Sequence, residues 1–412
     1  MGKRIVIAGA GTGGTPLANR LCRRLSRDAA EIIVVDRDDD HVYPPGLLFL
    51  PFDLADANGL VRSRRERLND SITFRQSGID RVDVTANEVR LVDGAVLGYD
   101  VLVVATGAAP ATGVAEGLAG PAWGATVSSF YTLGDALDLR SMLARFDAGR
   151  LVVNVVDMPI SCPVAPLAFC FVADWHFRRL GVRDRVEITY VTPLDAAFAR
   201  PVAAGTLGGL FTDKGVSLVP EFTTVSVEAV SGRPGRLVSY DGRDVPFDLA
   251  VVIPAHSGAD YVDRSPGLGD DRGFVPVDAH TLQAKAAPNV FAIGDAAAVP
   301  ASMAGSAARF EGEVLAGNIE RFLTGRPLDD VFDGHTNGYA GTGFGAAQMI
   351  GVDDETEPLS GHHLGPAGLP PLERSPLNYR ARQLFQWLYW RVLLPSRDLP
   401  GLGAAMPARR HI

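Results

Sequence analysis

The chain has 412 residues, enough for two or three domains. Its net charge of −9 argues against nucleic acid as the main partner, and three cysteines are too few for a disulfide framework, which points to a reducing compartment. The opening MGKRIVIAGAG runs straight into a strand, so no signal peptide is expected, and no apolar run reaches the roughly 18 residues that a spanning helix needs.

Lys3 to Ala8 is a short β-branched run that reads as a buried parallel strand. A glycine-rich turn, a helix over Pro16 to Leu25 and a second strand over Glu31 to Asp36 complete a βαβ unit. VLVVA, Val101 to Ala105, is another buried strand and ends in Thr106-Gly107. LVVNVV, Leu151 to Val156, opens a second αβ region, with a helix over Pro166 to Leu180 and a strand over Val186 to Val191. The chain returns at NVFAIGDAAAVP from Asn289, shifts toward Gly, Pro and His after Gly325, and has a linker over Gly361 to Pro371. The tail, Asn378 to Leu394, is strongly aromatic.

Gly9-Ala10-Gly11-Thr12-Gly13-Gly14 fits G-x-G-x-x-G between a strand and a helix, where glycines let backbone N–H groups approach a pyrophosphate. Asp36, at the end of the next strand, stands where an acid would bind a ribose. Together these predict a dinucleotide site; the alternative is a glycine turn that only packs helix on sheet.

Ala105-Thr106-Gly107-Ala108 and Ile293-Gly294-Asp295-Ala296 each close a strand. With the first loop, in this order, they resemble the two-dinucleotide-binding-domain flavoproteins. The resemblance implies FAD, with Asp295 on its ribityl chain. Members that use NAD(P)H carry a second G-x-G-x-x-G after the strand that opens the inserted domain. Here LVVNVV is followed by Asp157-Met158-Pro159-Ile160-Ser161-Cys162, with no glycine, so nicotinamide is not expected. Cys162 stands there instead, ahead of Pro163 and Pro166, and a thiol at a helix N-terminus is expected to have a lowered pKa.

MPISCPVAP, HVYPPGLLFLPF, FVPVDAHTLQ, FAIGDAAAVPAS, GHTNGYAGTGFG and FQWLYWRVLLPSRDLPG extend the likeness over nearly the whole length. The chain resembles the sulfide:quinone oxidoreductase family and its relative flavocytochrome c sulfide dehydrogenase. The resemblance implies an α/β fold of two doubly wound, Rossmann-like domains of the FAD/NAD(P)-linked disulfide reductase type, plus a C-terminal membrane-associating helical region. The expected division is residues 1–115 with 275–330 for FAD, 116–274 for the domain carrying Cys162, and 331–412 for quinone and membrane. It implies FAD contacts from Gly9, Gly11, Thr12, Gly13, Gly14, Asp36, Arg37, Ala105, Thr106, Gly107, Gly294, Asp295 and Met303, and catalysis by Cys162. Phe344, Phe385, Trp387 and Trp390 are the expected quinone and membrane residues.

The family's second redox cysteine falls on Gly338, and its two lysines near the flavin fall on Ser161 and Met303. Cys170 is no substitute: two helical turns, roughly 12 Å, would separate it from Cys162, whereas a disulfide needs about 7 Å. Cys170 and Cys22 are read as core residues. The cysteines and His362-His363 show no metal-ligand spacing, and Ser128, Ser129, His256 and Asp260 lack a nucleophile elbow.

The tail, NYRARQLFQWLYWRVLL, is apolar almost all round with flanking arginines, which suits a helix in the headgroup region; a core or dimer helix is the alternative. The expectation is a peripheral, monotopic enzyme on the cytoplasmic face of the cell membrane. It passes two electrons from a reduced sulfur species, thiol or other small reductant through FAD to quinone. The alternatives are a flavoprotein oxidising a non-sulfide substrate, and a non-catalytic FAD-binding membrane-associated protein. A homo-oligomer is left open.

Overall fold

The computed structural model describes residues 2–199, 201–230, 233–299, 303–329, 331–334, 336–343, 346–352 and 384–397. In chain order the elements that position the site begin with β1 (Lys3–Ala8), α1 (Gly14–Arg24), β2 (Ala30–Asp36), β3 (Thr73–Gln76) and β4 (Val101–Val104). There follow β5 (Val127–Ser128), α2 (Leu133–Leu143), β6 (Gly149–Val155), α3 (Ala165–Leu180), β7 (Val186–Val191), β8 (Val216–Val219) and β9 (Leu249–Ile253). The last are β10 (Val290–Ala292), α4 (Gly305–Leu323), β11 (Thr336–Gly343), β12 (Ala346–Val352) and a helix over residues 384–393, called α5, whose Tyr389–Leu393 part is π-helical.

Two five-stranded sheets organise the chain. The first has the order β10-β4-β1-β2-β3 and is parallel throughout, so residues 290–292 pair beside strands from the first quarter of the sequence. The second has the order β5-β9-β6-β7-β8, also parallel. The inner strands β4 and β9 are covered on both faces, which needs apolar residues at every position, and they do not alternate. In β1, Ile5 and Ile7 face Leu17 and Leu21 of α1 and Leu315 and Ile319 of α4, while Val6 and Ala8 enter a separate cluster with Val89 and Val262. In β6, Leu151 and Val153 meet Leu167 and Phe169 of α3, and Val152 meets Phe222 and Phe247. Each fully buried aliphatic side chain is worth about 1.5–3 kcal/mol, so the two βα turns rest on rigid supports.

The strand over Lys3–Ala8 matches its sequence expectation, as does that over Val186–Val191; α1 and α3 start one or two residues before the expected prolines. Cys170 is fully buried in the α3 core and makes no disulfide, and Cys22 is half-buried beside the Ser71 hydroxyl at 2.8 Å. The β11–β12 hairpin packs along α3, and in it Gly338 stands opposite Ile350.

Candidate functional site

The first βα turn is held open by glycine. Gly9 has φ +109°, and a Cβ there would lie 2.3 Å from the Ala105 carbonyl oxygen. A Cβ on Gly14 would come within 1.9 Å of Gly9 O, whereas one on Gly11 would meet nothing within 4 Å. Close packing on one side therefore leaves an open face on the other. No side chain caps α1, no acid stands in its first turn, and the N–H groups of Gly11, Thr12, Gly13 and Gly14 find no acceptor among the described residues. That arrangement suits a pyrophosphate. On the strand side, Ala105 is buried, Thr106 lies 3.3 Å from the Tyr261 hydroxyl, and Gly107 has φ +68°.

Asp36 accepts the Ala10 N–H at 2.7 Å and the Arg37 N–H at 2.8 Å, and pairs with Arg64 at 3.2 Å. The Arg37 side chain is exposed and pairs with Asp38. Arg64 also donates to the Ala10 carbonyl at 2.9 Å, as does the Thr15 hydroxyl. His41 Nδ1 lies 3.2 Å from that same carbonyl, which can only accept, so Nδ1 carries the proton. Burial, then the nearby Arg64 charge, pushes the His41 pKa down to about 3, so the ring is neutral and Nε2 is an acceptor. The Tyr389 hydroxyl donates to Nε2 at 2.7 Å and accepts from the Thr12 hydroxyl at 2.8 Å. A proton-ordered chain thus runs from the glycine loop through Tyr389 of α5 to His41 and back to the loop.

That contact changes the reading of the aromatic tail. Tyr389 and Trp390 are buried, packed against Tyr43 and His41 with centroids 4.8 and 5.5 Å apart. Trp390 is therefore a docking residue rather than a surface one. Phe385 is half-buried against the same core, while Leu384 and Trp387 remain 55% and 57% exposed. The expected apolar surface narrows to one edge of a helix whose other edge is used internally. Asn19 donates to the Leu394 carbonyl at 3.0 Å and Arg23 to the Pro395 carbonyl at 2.8 Å, which fastens the end of the segment to α1. Among the described residues no helix is long and apolar enough to cross a membrane, and no group of side chains has metal-ligand geometry. Phe344, His362, His363 and residues 353–383 lie outside the described residues.

The turn after β6 brings Cys162 against the GD segment. Cys162 has φ +49°, its N–H donates to the Met303 carbonyl at 2.5 Å, and Ser161 donates to the Asp295 carboxylate. The Tyr131 hydroxyl donates to the Ser161 carbonyl at 2.8 Å. The helix begins only at Ala165, and the half-buried thiol lies near the Asp295 charge. Burial first, then Asp295, pushes the Cys162 pKa up to about 11, against the opposing pull of the Ala165 and Val164 N–H groups. The lowered pKa expected from a helix N-terminus is thus overturned: desolvation and a carboxylate outweigh the dipole, and the group is a thiol at neutral pH.

Asp295 is itself raised by burial, partly relieved by Ser161. Its Oδ1 accepts nothing among the described residues and so suits a hydroxyl donor. Behind it, Glu311 of α4 is buried and accepts the Gly294 N–H at 2.5 Å. Burial pushes Glu311 up to about 7, with Asp295 adding to it. Glu311, His41, Arg64, Tyr131 and Tyr389 were not singled out by sequence reasoning. His41 and Tyr389 lay within quoted motifs, but nothing in their spacing marked them as partners.

The profile of the family described as "Pyridine nucleotide-disulphide oxidoreductase" matches residues 3–154. The chain is 24% identical over 402 residues to the mitochondrial sulfide:quinone oxidoreductase of Mus musculus, covering 95% of this chain and 86% of that one. Its structure is similar to that of the sulfide:quinone oxidoreductase of Aquifex aeolicus, with TM-score 0.80 and 18% identity over 97% of this chain and 93% of that one. It is also similar to a chain in the Tetrahymena thermophila mitochondrial ATP synthase, with TM-score 0.78 and 17% identity over 97% of each chain.

Proposed function

We propose, from the premise that this chain belongs to the FAD-dependent oxidoreductases as a relative of the sulfide:quinone oxidoreductases, that it takes two electrons from a reduced sulfur species at Cys162 and delivers them to a membrane quinone. The observation that carries this reading is Cys162 itself, held in a left-handed conformation against the GD segment where a nicotinamide loop would otherwise stand. In this reading the orphan N–H groups of Gly11 to Gly14 hold the FAD pyrophosphate, Asp36 its ribose and Asp295 its ribityl chain.

The donor chemistry balances without a second cysteine. Hydrogen sulfide and the Cys162 thiol form one S–S bond, giving a Cys162 persulfide, two protons and two electrons. Bound FAD would supply the acceptor for that electron pair and its route to quinone. A small thiol then removes the outer sulfur as its own persulfide and regenerates Cys162. Because the Cys162 pKa is raised, the thiol must lose its proton as the S–S bond forms, and the Asp295 carboxylate is the local acceptor. The exposed Leu384 and Trp387 edge supports peripheral contact with a membrane surface.

A second reading, FAD binding without sulfide chemistry, is favoured by that same protonated thiol and by Gly338 in the hairpin strand. The two separate in an anaerobic cuvette. Sulfide is expected to bleach the oxidised flavin absorbance and added quinone to restore it, with NADH inert. Bleaching by NADH overturns the reading of the Cys162 turn, and bound flavin that no reductant bleaches establishes the second reading.

A further inference from the structure

The seam between α1, α4 and the C-terminal segment carries charge that the described residues do not neutralise. Arg20, Arg309 and Arg397 line one notch, with Leu17 and Leu393 as apolar walls and Ser396 at its edge. Arg20 reaches Glu313 only at 3.6 Å, beyond hydrogen-bond range. The Arg309 guanidinium has no hydrogen bond or ion pair among the described residues and lies 5.6 Å from the Phe310 ring centre. Burial lowers its pKa and Arg20 adds to that, with Glu313 opposing. Among the described residues three guanidiniums therefore face one carboxylate, an excess of two positive charges.

Ser396 supplies an independent sign of a ligand. It is 3% exposed, its hydroxyl finds no hydrogen-bond partner among the described residues, and its φ is +56°. A buried hydroxyl without a partner costs stability, and a non-glycine residue with positive φ is held there by its surroundings. Carbonyl groups of the same turn are fixed by Arg23 and Asn19, so the turn is held while the Ser396 hydroxyl stays free.

We propose that this notch binds a phosphate-class oxyanion and that binding pins the C-terminal segment to α1 and α4. A phosphate dianion matches the excess charge, whereas a carboxylate leaves half of it unpaired. Its oxygens accept the forked guanidinium donors and the serine hydroxyl together. The notch lies seven residues along α1 from Gly13, roughly 10 Å below the glycine loop, so it is not the cofactor's pyrophosphate site. Ser396 and Arg397 come from the segment, so the notch is complete only when the segment is docked. The same chemistry is offered by a free phosphate ester and by a phosphatidic acid headgroup.

The test uses the full-length, FAD-loaded protein in phosphate-free buffer at constant ionic strength. Inorganic phosphate is titrated by calorimetry, with chloride as control, and flotation is measured on phosphatidylcholine vesicles with and without phosphatidic acid. Saturable binding of phosphate or of the phosphatidic acid vesicles is expected. Arg309→Gln should weaken it at least about tenfold and Ser396→Ala about threefold. Binding should also slow proteolytic cleavage within residues 384–397. Vesicle binding without free-phosphate binding assigns the headgroup as source, and the converse assigns a soluble ester. No saturable binding in either arm, or equal binding by the variants, overturns the proposal. If Arg309→Gln does not fold, the exposed Arg397→Gln takes its place. Flavin bleaching by sulfide is read separately, so failure here leaves the proposed function standing, and the reverse.

Discussion

The two sheets present the same kind of βα turn and use it in opposite ways. Between β1 and α1 the turn spans residues 9–13, is built of small residues and leaves a row of N–H groups facing outward. Between β6 and α3 it spans residues 156–164, carries two prolines with a third, Pro166, in the first turn of α3, and folds inward until Cys162 meets Met303 and Ser161 meets Asp295. One turn offers dipoles to an anion; the other removes that option and delivers a thiol to the edge of the first unit. Glycine spacing makes the first, and steric filling by Pro159, Pro163 and Pro166 makes the second.

This contrast can be broken at both turns. Cys162→Ser is expected to slow sulfide-driven flavin reduction by about a thousandfold, or about 4 kcal/mol of barrier, in anaerobic stopped-flow. A loss below tenfold would make the inward turn structural only.

Glu311, behind the GD segment that the second turn meets, gives the next largest effect. Its pKa is about 7 in the fold against 4.5 ordinarily, so the folded state binds more protons between those values. Stability is then fully present below pH 4.5 and falls as pH rises through 7, by up to about 3 kcal/mol. Glu311→Gln should flatten that slope in urea melts recorded from pH 5 to 8. An unchanged slope would show that Glu311 does not carry the proton.

Gly14→Ala drives a Cβ against the Gly9 carbonyl and should cost about 2 kcal/mol, with FAD content falling in the purified protein. Full FAD retention would mean that the outward turn does not hold the cofactor. Tyr389→Phe leaves His41 Nε2 without its donor and should cost about 1 kcal/mol, with faster proteolysis of the C-terminal segment. Equal proteolysis would show the α5 contact to be incidental to docking.

Much of the fold was legible because parallel strands covered on both faces are written as unbroken β-branched runs. The Ile5–Ala8 part of the first strand and Val101–Val104 could be recognised without coordinates for that reason. The glycine loop, Asp36, the GD segment and Cys162 were legible because each is a local pattern with one physical purpose. The protonation of Cys162 was not legible. It depends on Asp295, more than a hundred residues away, and on burial, which together exceed the local dipole that the sequence displays. The tail misled for a related reason. Its composition describes an apolar helix, but whether Trp390 meets lipid or His41 depends on the surface it folds against. Local pattern thus determined the strands, the phosphate cradle and the position of the thiol. Tertiary structure alone decided charge states and partners, including the Thr12–Tyr389–His41 chain and the notch of Arg20, Arg309 and Arg397, because desolvation and long-range contact have no signature in sequence spacing.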